Sequence, residues 1–330
     1  MTNARAPEWH YHLSSQRGVL IAIALFVAMF TLFVVQHPAG FSSNVINTAA
    51  NKGALLAFVA MAQTVPVLTS GLDLSVGMVF VLANCLASNL VSGTPLETAL
   101  GVVAVLATGL ACGAINGAVV VFGRLQPIIA TLATGAIYYG IALWLRPAPG
   151  GQVNEKFADV LTGSLNGVPF SLLLLVGVVL LIWIPYRQSV LGRATYAIGS
   201  SEQAAYMSGV PIARAKFLAY VLAGLFSSIA GLLLTCLTYS GEANALLGGS
   251  YTLNSIAAVV IGGASLFGGS GGAIGSVVGA FVLRTVGDLL FVFDMDPLWQ
   301  PLFLGFVLLI AVSLGSFRLL RLKNRLELYR

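Results

Sequence analysis

Charge is what this 330-residue chain has least of. It carries 16 Lys and Arg and 11 Asp and Glu, together 8% of its residues. An ordinary soluble domain carries roughly a quarter. So few charged side chains cannot solvate a globular surface, which excludes water-soluble enzyme folds. The 58% hydrophobic content excludes intrinsic disorder as well. Cysteine is equally scarce. Cys85, Cys112 and Cys236 stand alone in apolar runs without C-x-x-C spacing, so neither a disulfide framework nor a zinc site is expected. Of three histidines, His10 and His12 lie in the N-terminal tail and His37 near a span end. No metal site and no cofactor is expected.

What the chain does have is long uncharged runs, and a spanning helix needs about 20 mostly apolar residues. An all-α, polytopic membrane fold follows, with ten expected spans at about 17–36, 52–70, 74–92, 97–122, 127–145, 169–185, 215–238, 251–267, 272–292 and 298–316. A β-barrel would show alternating polarity over strands of about ten residues, which these runs lack. The membrane domain thus covers 17–316, between an N-terminal tail (1–16) and a basic C-terminal tail (317–330). No cleavable signal peptide is read at the N-terminus, since the first apolar run is long enough to remain as a span.

Orientation follows from the positive-inside rule. With the N-terminus cytoplasmic, Arg5, Arg17, Arg124, Arg187, Arg193, Arg214, Lys216, Arg318, Arg321, Lys323, Arg325 and Arg330 lie inside, and only Lys52, Arg146 and Lys156 outside. Both termini are therefore expected on the cytoplasmic side of a bacterial inner membrane. The net charge of +5 is this topology signal, aided by contact with anionic lipid, and calls for no nucleic acid partner.

Spans two to five and seven to ten read as two copies of one unit. The fourth span carries Gly109, Gly113 and Gly117, the ninth Gly271, Gly275 and Gly279, at a constant offset of 162. Small residues four apart allow close helix packing. An offset of five spans inverts the second copy, an arrangement common in transporters.

Three places stand out against this apolar background. Asp73, in Thr69-Ser70-Gly71-Leu72-Asp73-Leu74-Ser75-Val76-Gly77, is costly at mid-membrane and should face protein or water. Gly71 is expected to end one helix and Asp73 to cap the next by accepting from amides near Ser75 and Val76. Such a break could offer unpaired backbone groups to a polar solute, or be a plain cytoplasmic turn. Arg284 and Asp288 are four apart on one helix face and should form an ion pair, with a substrate gate as the sharper alternative. The loop 187–214 contains a short helix delimited by Ser200 and Gln203 at capping-box spacing, Gly209 at C′ and Pro211 beyond. Too short to hold itself helical, it must pack either on a partner, through Ala204, Ala205 and Ser208, or on its own membrane ends. The glycine-rich stretch 261–272 has no Lys after its glycines and is no nucleotide loop.

Together these stretches resemble the permease subunits of ribose-type (simple-sugar) ATP-binding-cassette importers. The resemblance rests on Gly71 to Gly77; on Gly113 to Gly117 followed by Leu125 to Leu132; on Leu191 to Gly199 with Glu202, Ala204, Ala205, Ser208 and Gly209; and on Ile256 to Gly263 with Ser265 to Gly269. These blocks occur in family order over most of residues 45–285. One departure is Gly271-Gly272, where many members carry a basic residue.

The resemblance implies a non-catalytic permease that moves a ribose-like sugar by alternating access. Its implied partners are an ATPase that hydrolyses the ATP, a periplasmic sugar-binding protein and a second permease, identical or different. It places the substrate pathway at Asp73, Ser75, Asn116, Thr131 and Ser265, and the coupling element at Gly199, Ser200, Glu202, Ala204, Ala205, Ser208 and Gly209. An ion-coupled secondary transporter using Asp73 is the alternative.

Overall fold

The computed structural model describes residues 17–307, 309, 310 and 313. The expected tails, 1–16 and 317–330, lie outside the described residues, as does the end of the tenth expected span. The order is α1 (Arg17–Gln36), α2 (Ser43–Leu68), α3 (Val76–Leu90), α4 (Pro95–Val121), α5 (Pro127–Leu145), α6 (Glu155–Thr162), β1 (Ser164–Leu165), β2 (Val168–Pro169), α7 (Phe170–Val178) with a π turn (Val179–Trp183), α8 (Ile184–Gln188), α9 (Val190–Ser200), α10 (Glu202–Met207), α11 (Ile212–Thr238), α12 (Ala245–Ile261) and α13 (Ala273–Val292). Among the described residues, seven helical segments are long and apolar enough to cross a membrane, α7 to α8 forming one of them. Two apolar helices, α3 and α12, are shorter.

Among the described residues the regular structure is helical apart from one hairpin and an isolated bridge between Gly150 and Gly241. Ser164 pairs with Pro169 and Leu165 with Val168, around Asn166-Gly167, both at positive φ, as a type I′ turn requires. In the α7–α8 span the π turn precedes Pro185; longer-range bonding there accommodates a residue without an N–H.

α2 and α11 are the enclosed helices and α1 the peripheral one. α11 packs against α4, α3 and α2, while α13 packs against α2, α1 and α12. The core is filled by Phe58, Phe80, Phe226, Tyr220 and Trp183. The short α3 is buried along most of its length, and its far end is covered by the segment after α5. There Arg146 donates to the Ser88 carbonyl (3.0 Å), Ser88 Oγ (3.0 Å) and Asn89 Oδ1 (2.7 Å), placing a cation at the helix C-terminus on one of its last carbonyls. Arg146 thus seals a buried helix end as well as lying at the end opposite the 187–214 loop.

Several expected boundaries need correction. α2 begins nine residues before the expected start at 52, because Ser42 caps it, accepting from Val45 N at 3.4 Å. Lys52, expected in an outer loop, therefore sits within α2. α12 lies at 245–261 rather than 251–267, because Asn244 caps it, accepting from Leu247 N at 3.0 Å. The glycine loop that follows cannot continue the helix, since Gly263, Gly268, Gly269 and Gly271 all have positive φ.

The glycine stripes lie at helix crossings, but not at equivalent ones. A Cβ at Gly113 would fall 2.3 Å from the Tyr220 carbonyl oxygen, and one at Gly109 2.2 Å from Ser228 Oγ; at Gly117 it would meet Phe217 at 3.0 Å, so this stripe faces α11. On α13, Gly275 and Gly279 instead meet the carbonyls of Gly262 and Ala258, at 2.2 and 2.1 Å. Gly271 is not on the helix at all: it is a loop residue at φ +108° against Ala264. The 162-residue match therefore does not mark positions with the same neighbours.

Candidate translocation and coupling site

The break between α2 and α3 is built from local backbone chemistry. α2 ends in a Schellman motif, with Gly71 N–H bonded to the Pro66 carbonyl and Ser70 N–H to the Val67 carbonyl. The left-handed residue is Ser70, at φ +62°, not Gly71 as expected. Gly71 is needed for a different reason: a Cβ there would lie 2.9 Å from the Tyr220 hydroxyl.

Beyond the break, three of the amides find side-chain partners. Leu74 N–H donates to Thr131 Oγ1 (2.9 Å), Ser75 N–H to Asp73 Oδ1 (2.9 Å) and Gly77 N–H to Thr252 Oγ1 (3.1 Å). Asp73 is 2% exposed, and its carboxylate also accepts from Ser75 Oγ (2.6 Å) and Asn116 Nδ2 (3.4 Å). Asn116 Nδ2 donates to Ser75 Oγ at 2.7 Å, and its Oδ1 accepts from the Tyr138 hydroxyl at 3.0 Å. Asp73 therefore caps through the Ser75 amide alone. Among the described residues no cation pairs with it.

Of the five expected pathway residues, Asp73, Ser75, Asn116 and Thr131 come together as a buried, mutually satisfied cluster. Thr131, Asp73 and Thr252 occupy three amides of the break, those of Leu74, Ser75 and Gly77. Ser265 is elsewhere. It shapes the glycine loop, its Oγ accepting from Phe267 N at 3.2 Å, and makes no hydrogen bond to the cluster.

Three residues along the chain from Asp73, Ser70 Oγ bonds to the carbonyls of Phe267 (2.7 Å) and Gly199 (3.3 Å). Gly269 N–H donates to the Leu68 carbonyl at 3.1 Å, and the Tyr196 hydroxyl to the Gly271 carbonyl at 3.0 Å. Gly199 has no room for a side chain, since a Cβ would lie 2.1 Å from the Leu68 oxygen and 2.2 Å from Gly269 N. The end of α2, the end of α9 and the glycine loop thus form one joint, with α10 attached directly to it.

α10 itself departs from expectation at its start. Ser201, not Ser200, is the N-cap, accepting from Ala204 N at 3.3 Å. Ser200 closes α9, its Oγ donating to the Tyr196 carbonyl. Gly209 does stand at C′, at φ +72°, with Val210 N–H bonded to the Ala205 carbonyl. Ala205 is not on an open face. It is buried against Ala194, Ile198 and Ala215, while Glu202 ties α10 to α11 through Lys216, both carboxylate oxygens 2.7 Å from Nζ. Ala204 and Ser208 are exposed, and so are Tyr206 and Met207, 75% and 84%.

Several participants were not anticipated: Ser70, Tyr138, Thr252, Tyr196 and Asn84. Asn84 holds the α11–α12 turn, donating to Thr235 Oγ1 (2.9 Å) and the Ser240 carbonyl (3.2 Å) and accepting from Glu242 N (2.9 Å). A lone amide in an apolar run is itself a signal, because such a group must find partners inside the bundle. The Arg284–Asp288 pair is present at 3.0 Å. Among the described residues no cluster of His, Cys, Asp or Glu suits a metal ion.

A bundle of apolar helices interrupted by a polar, side-chain-sealed break, and joined there to a short docking-sized helix, is the build of a transport-system permease. The chain belongs to the family described as branched-chain amino acid transport system / permease component, whose model matches residues 45–312. It is 34% identical over 304 residues to the ribose import permease protein RbsC of Bacillus subtilis, covering 90% of this chain and 93% of that one. It is 36% identical to the probable ABC transporter permease protein y4mJ of Sinorhizobium fredii, over 90% of this chain and 89% of the other. With the autoinducer 2 import system permease protein LsrD of Photorhabdus temperata it shares 27% identity, over 94% and 95%. No solved structure matches.

Proposed function

We propose that this chain is the non-catalytic translocation subunit of an ATP-driven importer for a ribose-like sugar. The observation that carries the reading is the joint at Gly199, where the loop helices α9 and α10 meet the end of α2 within three residues of the Asp73 cluster. Force applied to α10 has a short, stiff route to the break: through Gly199 to Leu68 and Ser70, and on to Asp73, Asn116 and α5. The relatives named for ribose import, matching nine-tenths of the chain, favour a sugar over the amino acids in the family's description.

In this reading the partners are an ATPase docked under α10, a periplasmic sugar-binding protein and a second permease copy or homologue. Tyr206 and Met207, beside Ala204 and Ser208, form the face offered to the ATPase. Gly199, Ser200, Glu202 and Ala205 hold α10 to its own chain, and Gly209 ends it. Asp73, Ser75, Asn116 and Thr131 serve the pathway by fixing the bend rather than by holding sugar. Ten spans cross the inner membrane, with α3 and α12 as short spans and both termini on the side of the α10 loop, where Arg124, Arg187, Arg193, Arg214 and Lys216 gather.

The inverted repeat is supported by a reciprocal pattern. Each short helix fastens the break that precedes the other, Thr252 of α12 holding Gly77 and Asn84 of α3 holding Glu242. Alternating access requires a second packing of these helices.

The test is uptake into proteoliposomes holding this chain with its ATPase and sugar-loaded binding protein. Ribose accumulation that needs internal ATP and both partners is expected. Accumulation driven by a proton or sodium gradient without ATP would replace this reading with the ion-coupled carrier.

A further inference from the structure

At the end of the bundle opposite the α10 loop, a cleft of about 490 Å³ opens between α1 and α2 over the face of α13. It exists because α1 leans on α13, with Phe26 edge-on to Phe281 at 5.7 Å, rather than along α2. The lining surface is mostly apolar, as at Phe33, Leu290 and Phe291, with His37 and Gln300 among its polar members; the floor carries Lys52, Arg284 and Asp288.

The position of those charges is the unusual part. At 1.5 Å per residue, Lys52 lies about 13 Å in from the start of α2 and Arg284 about 12 Å in from the end of α13. Asp288 is committed to Arg284 at 3.0 Å. Lys52 is exposed and forms no salt bridge among the described residues. The floor therefore holds one positive charge in excess, more than two helical turns inside the ends of α2 and α13. Beside the opening, the end of α1 exposes Leu32 and Val35, an apolar surface suited to hydrocarbon.

From this we propose that the cleft is a binding site for an anionic phospholipid. The phosphate sits between Lys52 and Arg284, and an acyl chain runs out along Phe33, Leu290 and Phe291. A soluble anion would match the floor but leave the apolar walls empty. A zwitterionic lipid would match the walls but bring its own cation against Lys52.

The test uses the full-length chain in a neutral detergent, titrated with phosphatidylglycerol, phosphatidylcholine or inorganic phosphate and followed by native mass spectrometry and thermal unfolding. Phosphatidylglycerol should be retained and raise the melting temperature, with phosphatidylcholine and phosphate doing neither. Lys52→Gln, at an exposed side chain without a salt bridge among the described residues, should weaken phosphatidylglycerol binding about five- to tenfold, the contribution of one basic residue near an anionic membrane surface. Equal stabilisation by phosphatidylcholine, or by phosphate alone, would overturn the proposal, as would unchanged retention by Lys52→Gln. A shift of the monomer–dimer ratio in that variant, without lipid loss, would assign the cleft to a second copy instead.

Discussion

Replacing Gly199 by alanine sets two effects of opposite sign against each other, and the structure says which wins. Gly199 is the next-to-last residue of α9, so alanine improves helix propensity by about 1 kcal/mol. Against this, the new methyl carbon would lie 2.1 Å from the Leu68 oxygen and 2.2 Å from Gly269 N, whereas ordinary contact begins at 3.4 Å. Both neighbours are backbone, so no rotamer change relieves the clash. α9 must move by more than an ångström from the α2 end and the glycine loop. That movement lengthens the bond from Ser70 Oγ to Gly199, worth about 1 kcal/mol net, and adds overpacking strain of about 1–3 kcal/mol. The net expectation is a loss of about 1–3 kcal/mol, measured by denaturant or thermal unfolding in detergent. The importer assembled with the variant should also lose sugar-stimulated ATPase activity, because α10 hangs from this joint. Gly209→Ala is the control: nothing lies within 4 Å of its Cβ position, so only the positive-φ penalty of about 1–2 kcal/mol applies. A Gly199→Ala protein as stable as wild type would show that α9 does not abut α2, and the proposed route for force would fall with it.

Three further outcomes are expected. Asp73→Asn should stay folded, because an amide oxygen still accepts from the Ser75 amide and hydroxyl, yet impair uptake in vesicles. Asp73→Leu should cost about 2–4 kcal/mol, since it strips the Ser75 and Asn116 donors of their buried acceptor; equal stability of the two variants would remove the carboxylate from the bend. Tyr206→Asp should leave the chain inserted and folded but abolish ATPase stimulation in the assembled importer, whereas Ala205→Asp should lower stability itself by burying a charge among Ala194, Ile198 and Ala215. Reversed results would turn α10 over. Gly113→Ala should destabilise by about 1–3 kcal/mol through its clash with the Tyr220 carbonyl, while Gly140→Ala, with nothing within 4 Å, should be neutral or slightly stabilising; matching melting temperatures would mean the α4 stripe faces lipid.

The apolar runs determined by themselves that the chain is a helical membrane protein, since in hydrocarbon the backbone must satisfy its own hydrogen bonds and a continuous run leaves helix as the economical way. The same one-dimensional logic located α1, α5 and α13 to within a residue, the Arg284–Asp288 pair, and the C′ role of Gly209, because all of these depend on neighbours within a turn. The expected start of α4 falls at 97 instead of Pro95, although the local pattern is there: Thr94 N–H donates to Glu97 Oε2 at 2.7 Å in a capping box. What only the tertiary structure decided is where polar groups separated by long stretches of chain meet. Thr131 takes the Leu74 amide, Thr252 the Gly77 amide, and Gly199 the space beside Leu68, across sequence separations that no local pattern encodes. The early start of α2, with Lys52 inside it, was hidden for a related reason. A hydropathy reading ends a span at a charge, whereas the fold keeps the helix intact and opens a cleft between α1 and α2 to hold that charge.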